Sequence, residues 1–388
     1  MIYDAVIVGG GPAGSTCAGV LARGGARVAV VDRADFPRVK LCGGWISAPI
    51  WEALALSPRE YPGGLWEWRT CHVSYGGEQH AIPCHGWFIR RFELDDFLLR
   101  RSGAELRLGV SVQDIAPDDD GLWSVAGLRA RYLVGAGGTH CPVARLLAPR
   151  RPSGPVGVQE HEFPAEPAAI ARTRVGRDGE PELLLHDDLR GYSWNVPKTD
   201  WLNVGSGTVE PHEVRAAWKR ARRHFTEAGH VPPEAAAALD AMKGHSYYLF
   251  DPAHLESAWR RNVLLCGDSL GLAQPLTAEG ILPAVISGRL AGEAILARAP
   301  ESYPERMRAH PVMADYRRVY RARELAAVLA RRSSGGGGTR SRIARRAIAR
   351  GFAWLFSGAR FPAPGLIDAG LSLAESWAER QNARGPAS

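Results

Sequence analysis

The sequence predicts a mixed α/β (α+β) protein in which a parallel-sheet domain is interleaved with an antiparallel-sheet domain and followed by a helical tail. Three observations predict it. The stretch Tyr3–Arg33, YDAVIVGGGPAGSTCAGVLARGGARVAVVDR, runs apolar strand, glycine-rich turn, small-residue helix, apolar strand. Two later apolar strands each end in glycine, LVGAGGTH at Leu133–His140 and VLLCGD at Val263–Asp268. Between these parts lie two blocks of short alternating segments bounded by Gly and Pro. Strand–helix–strand order reads as a parallel sheet, and period-two alternation between turn residues as antiparallel strands.

The first stretch carries the most specific chemistry. Gly9, Gly11 and Gly14 form GxGxxG between a strand and a helix. The first glycine permits the tight turn, the second lets a pyrophosphate approach the backbone, and the third lets helix pack on strand. Pro12 and Ala13 open the helix, whose unpaired N–H groups and partial positive charge suit phosphate. Asp32 follows Gly14 by eighteen residues, at the end of the second strand and before Arg33, where an acid can hold ribose hydroxyls. This Rossmann-like unit predicts a bound dinucleotide.

Composition bounds the rest. The chain has 388 residues, enough for two or three compact units. A 45% hydrophobic and 23% charged composition is that of a soluble globular protein. No apolar run reaches the roughly 18 residues of a membrane span, and the N-terminus is already the first strand, so a cytoplasmic location is expected. The six cysteines and twelve histidines show no metal-ligand spacing, and no metal is expected. The net charge of +7 is concentrated in the tail: residues 301–388 hold sixteen Arg against seven Asp or Glu. The first 300 residues are therefore near neutral, which argues against nucleic acid as a partner.

Residues 262–295, NVLLCGDSLGLAQPLTAEGILPAVISGRLAGEAI, place a strand before Gly267-Asp268, then a loop, then a helix from near Gly280. With the first stretch and LVGAGGTH, this layout resembles FAD-dependent oxidoreductases of the para-hydroxybenzoate hydroxylase fold. The resemblance implies FAD as cofactor, held noncovalently. It implies Asp268 against the ribityl chain or pyrophosphate and Gly137 in the middle element. The loop Pro275–Ile281, with Pro275, Gly280 and Ile281, would lie against the isoalloxazine. The following helix would point its N-terminus at the ring, favouring reduced anionic flavin. Ile89–Arg101, IRRFELDDFLLRR, is similar to the group's Arg-x-x-x-Asp helix, with Arg91 and Asp95 at those places and Arg91 near the cofactor.

Phe36–Ser47, FPRVKLCGGWIS, is similar to the geranylgeranyl reductase family, whose members carry a Cys-Gly pair here. Flavin-dependent halogenases follow FPR with a Gly-Glu-Ser element that this sequence lacks. The resemblance places Cys42 and Gly43 beside the flavin. For Cys42 two readings stand side by side, a proton-donating or redox-active thiol and a small buried residue. Gly191–Pro197, GYSWNVP, followed by Asn203-Val204-Gly205, also resembles the geranylgeranyl reductases. Alternation puts Tyr192, Trp194 and Val196 on one face, an aromatic wall for a hydrocarbon. Trp45, Tyr192 and Trp194 are the expected substrate contacts.

The expected organisation is an FAD-binding domain of residues 1–48, 89–150 and 245–300, a substrate-binding domain of 49–88 and 151–244, and a helical region of 301–388. The expected activity is reduction of C=C bonds in a prenyl or lipid-like substrate by hydride from reduced flavin, with Cys42 and Tyr192 as candidate proton donors. Electrons would come from NAD(P)H, reduced ferredoxin or a quinol. The rival expectations are a flavin monooxygenase, a halogenase and a flavin-bearing sensor. In the tail, Ser333–Gly338 reads as a flexible linker. Ile343, Phe352, Leu355 and Phe356 recur opposite Arg342, Arg345, Arg346 and Arg350. Such a helix suits either an anionic membrane surface, with Trp354, Phe352 or Phe356 inserting, or a cap on the body. The sequence leaves the oligomeric state open.

Overall fold

The computed structural model describes residues 1–148, 151–173, 178–332 and 342–383. The linker read at Ser333–Gly338 lies outside them, as do two residues of the Pro149–Pro155 connection.

Two eight-stranded sheets organise the chain. The first has the order Trp259–Arg260, Val263–Leu265, Leu128–Gly135, Ile2–Val8, Val28–Val31, Glu105–Arg107. All neighbours from Val263–Leu265 onward are parallel. Ala5 to Val8 and Val28 to Val31 are buried without interruption, as a strand covered on both faces requires. The meander Ile115–Pro117 and Trp123–Val125 joins the edge of Leu128–Gly135.

Helices Pro12–Arg23 and Ile281–Leu296 cover this sheet together. They touch through glycine: a β-carbon at Gly288 would lie 2.1 Å from the Ala13 carbonyl oxygen. That contact brings the last strand–helix unit against the first, so both loops reach one place.

The second sheet has the order Lys243–Tyr247, Val156–Pro164, Trp201–Thr208, Gly191–Lys198, Glu182–Leu185, Trp66–Tyr75, Glu78–Phe88, Trp45–Ile46. One face buries Phe163, Leu202 and Val204 against Trp218, Ala221 and Phe225 of helix Val214–Glu227. Two expected boundaries shift. Trp45 pairs with Phe88 and Ile46 with Trp87, so this sheet takes residues before 49. Lys243–Tyr247 pairs along Val156–Pro164, which carries the sheet past 244.

The tail helices belong to the body. Helix Pro311–Arg332 is tied by Arg318 and Arg321 to Asp368 and Glu375 of helix Pro364–Ala383 at 2.8 and 2.7 Å. Helix Arg342–Phe356 buries Ala349, Phe352, Ala353 and Phe356 against the second sheet, and Arg345 pairs with Glu78 at 2.7 Å. Among the described residues, no helix is long and apolar enough to cross a membrane.

Candidate active site

The carboxyl ends of four parallel strands lie in register, Val8 beside Val31 and Gly135, and Gly135 beside Leu265. Ligands of open α/β sheets bind at such ends. Here Gly11, Asp32–Ala34, Ala136–Thr139 and Asp268 border one cavity of about 550 Å³. The second sheet closes it from the other side. Val158 and Glu160, Tyr192, Trp194 and Val196, and His245 and Tyr247 all line it, each set at the two-residue spacing of a strand face. Cys42–Trp45, Arg91, Thr277–Ile281 and Phe356 complete the wall.

The turn after the first strand depends on two glycines that do not border the cavity. Gly9 has φ +113°, and a β-carbon there would sit 2.4 Å from the Ala136 carbonyl oxygen. Gly14 approaches the Gly9 carbonyl so closely that a β-carbon would fall 1.9 Å from it. Asp32 braces the turn: the Gly10 and Ala34 N–H groups donate to its two carboxylate oxygens at 2.7 and 2.9 Å. A cationic corner lies beside it. Arg91 donates through Nε and Nη2 to Asp95 at 2.6 and 2.8 Å, and Arg38 Nη2 lies 3.1 Å from the same fully buried carboxylate. Arg38 also rests over the Phe36 ring, and its Nη1 is buried without a partner.

Several cavity groups are driven toward their neutral forms. Burial raises Cys42, whose sulfur accepts from the Gly44 N–H at 3.4 Å. Burial pushes Glu160 up to about 8 and Glu279 up to about 7, in the second case against hydrogen bonds from Ser47. Burial, helped by Lys40 and Arg91, lowers His245 to about 3. Tyr192 is raised by burial too, and its hydroxyl donates to the Thr277 carbonyl at 2.5 Å.

Residues 2–45 match the FAD binding domain family. The geranylgeranyl diphosphate reductase of Rhodobacter capsulatus is 28% identical over 320 residues, 76% of each chain. The menaquinone reductase of Mycobacterium tuberculosis H37Rv is 27% identical over 342 residues, 76% of this chain and 77% of that one. Among solved structures, the myxobacterial chondrochloren halogenase CndH superposes with a TM-score of 0.65 at 19% identity, covering 96% of both chains. The chain is an FAD-dependent oxidoreductase similar to the geranylgeranyl reductases. The halogenase likeness is one of fold alone.

The residues present fit FAD. Gly11 leaves its β-carbon position open, with Arg38 Nη2 the nearest atom at 3.5 Å. A phosphate can therefore approach the backbone and meet the Arg38 guanidinium, whose Nη2 also pairs with Asp95. The helix starting at Ile281 offers its N-terminus at Gly280, which also borders the cavity. Of the expected cofactor residues, Gly11, Pro12, Ala13, Asp32, Arg33, Cys42, Gly43, Arg91, Gly137, Asp268, Gly280 and Ile281 line the cavity, as do Trp45, Tyr192 and Trp194. Gly9 and Gly14 hold the turn from behind.

One expected residue lies elsewhere, and two have hydrogen-bond partners that the sequence does not show. Pro275 is off the wall. The Gln274 side chain accepts from the N–H groups of Leu276 and Thr277 at 2.5 and 2.6 Å, and the tight turn aims the Pro275 carbonyl at Arg323. Tyr192, read as a proton donor, commits its proton to Thr277. Arg91, read as a cofactor contact, spends its fork on Asp95 and presents only its remaining edge.

Sequence reading did not single out Arg38, Lys40, Glu160, His245 or Glu279, and it placed Phe356 on a tail helix rather than on the wall; all six line the cavity. For Glu160 a signal existed, an acid at an inward position of the alternating strand VGVQEHEF. Nor did spacing reveal the cluster of Glu182, His224 and His230, whose polar atoms lie within 4.8 Å of one another. Both imidazoles hydrogen-bond directly to the carboxylate, so a cation would have to displace those bonds.

Asp268 borders the cavity at the mouth of Gly280, its Oδ1 3.3 Å from where a β-carbon there would sit. Replacing it by Ala is expected to weaken FAD retention about tenfold or more, the worth of a charged hydrogen bond. Visible absorbance of protein desalted at falling concentration measures this, and unchanged retention would remove Asp268 from the site.

Proposed function

We propose that the protein saturates carbon–carbon double bonds of a substrate bearing a polyprenyl chain. The observation that carries this reading is the continuity of the cavity. It runs without a partition from the dinucleotide loops to an apolar wall of Trp45, Leu183, Tyr192, Trp194, Val196 and Phe356. Geranylgeranyl diphosphate and menaquinone, the substrates in the relatives' names, both carry polyprenyl chains, which such a wall suits by burial of apolar area. FAD, held at the Gly11 turn, Asp32 and the Gly280 helix end, would supply hydride once reduced. The protein's own residues orient the chain and exclude water. Trp45 and Phe356 pack at a tilt with centroids 4.6 Å apart, and the Trp45 indole N–H donates to the Phe356 carbonyl at 3.1 Å, locking tail to sheet. Tyr192 meets Phe356 edge-on at 5.4 Å. NAD(P)H, reduced ferredoxin or a quinol would supply the electrons.

The test is a single turnover without oxygen. Holo-protein reduced chemically and mixed with a polyprenyl quinone or geranylgeranyl diphosphate should regain the spectrum of oxidised flavin at a rate set by substrate concentration. Reoxidation only after air is admitted, with an oxygenated or halogenated product, would overturn the reading.

Cys42 and Tyr192 enter this proposal as wall residues. Cys42→Ser and Tyr192→Phe should each keep FAD and lower the rate of that turnover no more than about tenfold, the loss of one hydrogen bond. A drop of a thousandfold in either, with FAD retained, would make it the proton donor.

A membrane as the source of substrate belongs to the same proposal, through different residues than the sequence suggests. Phe352 and Phe356 are buried and Trp354 packs on Phe361, so these rings are not free to insert. In the tail, the exposed large apolar side chains among the described residues are Ile343 and, along helix Pro364–Ala383, Leu366, Leu373 and Trp377. Co-sedimentation with anionic liposomes should fall for Leu373→Glu with Trp377→Glu and not for Phe352→Leu. Equal sedimentation of all three proteins would contradict it.

A further inference from the structure

Saturating an isolated double bond requires a proton on one carbon as well as hydride on the other, and the cavity offers few groups that can give one. The Tyr192 proton is held by the Thr277 carbonyl, and burial makes the Cys42 thiol a weaker acid than usual. Of the four carboxyl groups on the wall, Asp32 accepts from the dinucleotide turn and Asp268 sits by Gly280 at the helix end, which leaves Glu160 and Glu279. Both oxygens of Glu279 lie within hydrogen-bond reach of the Ser47 hydroxyl, at 3.0 and 3.2 Å.

Glu160 is placed differently. It is 1% exposed, it lines the cavity, and its Oε1 has no partner. An unpartnered oxygen on a buried carboxyl is costly unless the group is neutral or a ligand reaches it. The fold makes room for it. Glu160 sits opposite Gly205 on one neighbouring strand and Lys243 on the other. A β-carbon at Gly205 would fall 2.2 Å from the Trp194 ring and 2.8 Å from the Glu160 β-carbon, so the glycine gap seats Glu160 beside Trp194.

We propose that Glu160 is the catalytic acid, giving its proton to the alkene carbon opposite the one that takes hydride. This rests on the reductase reading above. The alkene π bond breaks, one carbon forms a C–H bond with hydride from the reduced flavin, and the electron pair left on the other takes the Glu160 proton. The O–H bond of Glu160 breaks, the flavin ends oxidised, and the carboxylate left behind recovers a proton from water. Lys40, Lys198 and Arg91 lie around the group and stabilise that carboxylate, while Glu162 opposes it. Tyr192, Tyr247 and Cys42 face the same space as neutral groups. Burial, which raises the carboxyl to about 8, keeps the proton available at neutral pH.

The test compares wild-type holo-protein with Glu160→Gln and Glu160→Asp. An infrared difference spectrum of oxidised holo-protein, taken between pH 7 and pH 10, should show a protonated carboxyl band that Glu160→Gln lacks. Anaerobic product formation should fall about a hundredfold or more in Glu160→Gln, with FAD content unchanged, and recover at least a tenth of the wild-type rate in Glu160→Asp. The wild-type rate should fall above about pH 8, a limb that Glu160→Gln loses. Glu160→Gln within threefold of wild type, or an alkaline limb unaltered in it, would overturn the proposal while leaving the reductase reading intact. A wild-type protein that makes no saturated product fails the reductase reading itself and takes this proposal with it. Should Glu160→Gln lose FAD, Glu160→Asp decides alone: an unshifted alkaline limb overturns the proposal and a shifted limb supports it.

Discussion

Gly14→Ala is expected to yield protein without FAD. A β-carbon at Gly14 would lie 1.9 Å from the Gly9 carbonyl oxygen and 3.2 Å from the Ala136 β-carbon. The obstacle is backbone, so no side chain can swing aside. Relief requires the helix to lift from the first strand, which moves its N-terminus from the phosphates and costs about 3 kcal/mol or more. Gly351→Ala is the matched control. Gly351 lies in helix Arg342–Phe356 with nothing within 4 Å of its β-carbon position, so alanine there should be neutral or stabilising by up to about 1 kcal/mol. The flavin-to-protein absorbance ratio after purification reads both. A Gly14→Ala protein with full FAD would mean that the turn is not the cofactor cradle.

Glu182→Ala is expected to destabilise the second sheet by about 3–5 kcal/mol, the usual cost of removing one member of a buried charged cluster. The carboxylate is fully buried and accepts from Ser74 at 3.0 Å, Gln79 at 3.3 Å, and both His224 and His230. Burial alone would raise its pKa, but the two imidazoles outweigh that and hold it at about 2, against a usual 4.5. A carboxyl depressed in the folded state stabilises above its unfolded value and loses that contribution as pH falls through its folded one. The cluster should therefore support the wild-type fold fully above about pH 4.5 and progressively less toward pH 2. Urea unfolding followed by tryptophan fluorescence measures both effects. A variant within about 1 kcal/mol of wild type, with the same acid sensitivity, would contradict this account of the cluster.

The parts legible in the sequence are those where backbone chemistry demands a residue type over a short span. Gly9 and Gly14 are forced by steric closeness, Asp32 by its place at a strand end, and Tyr192, Trp194 and Val196 by alternation. The strand–glycine pattern at Leu133–His140 and Val263–Asp268 likewise follows from parallel strands ending at one edge.

What escaped depends on contacts between distant segments. Glu182 becomes a buried carboxylate only because His224 and His230 arrive from elsewhere in the chain. Glu160 looks like any polar residue of a strand until Gly205 opens space beside Trp194. Phe356 has the periodicity of a surface helix, yet packing against Trp45 and Tyr192, more than 150 residues away, turns it into the cavity wall. Arg91 and Tyr192 were read by position, and their hydrogen-bond partners, which decide what they can do, follow from the fold.

The central claim is that one cavity brings FAD and a polyprenyl chain together for reduction of a double bond. Mass spectrometry of substrate incubated with reduced holo-protein under strict anaerobiosis tests it most directly. The account predicts a product that gains two hydrogen atoms per double bond reduced, with at least one of them derived from solvent when the reaction is run in deuterium oxide. Substrate unchanged until oxygen is admitted, then recovered with an added oxygen or halogen atom, would contradict it.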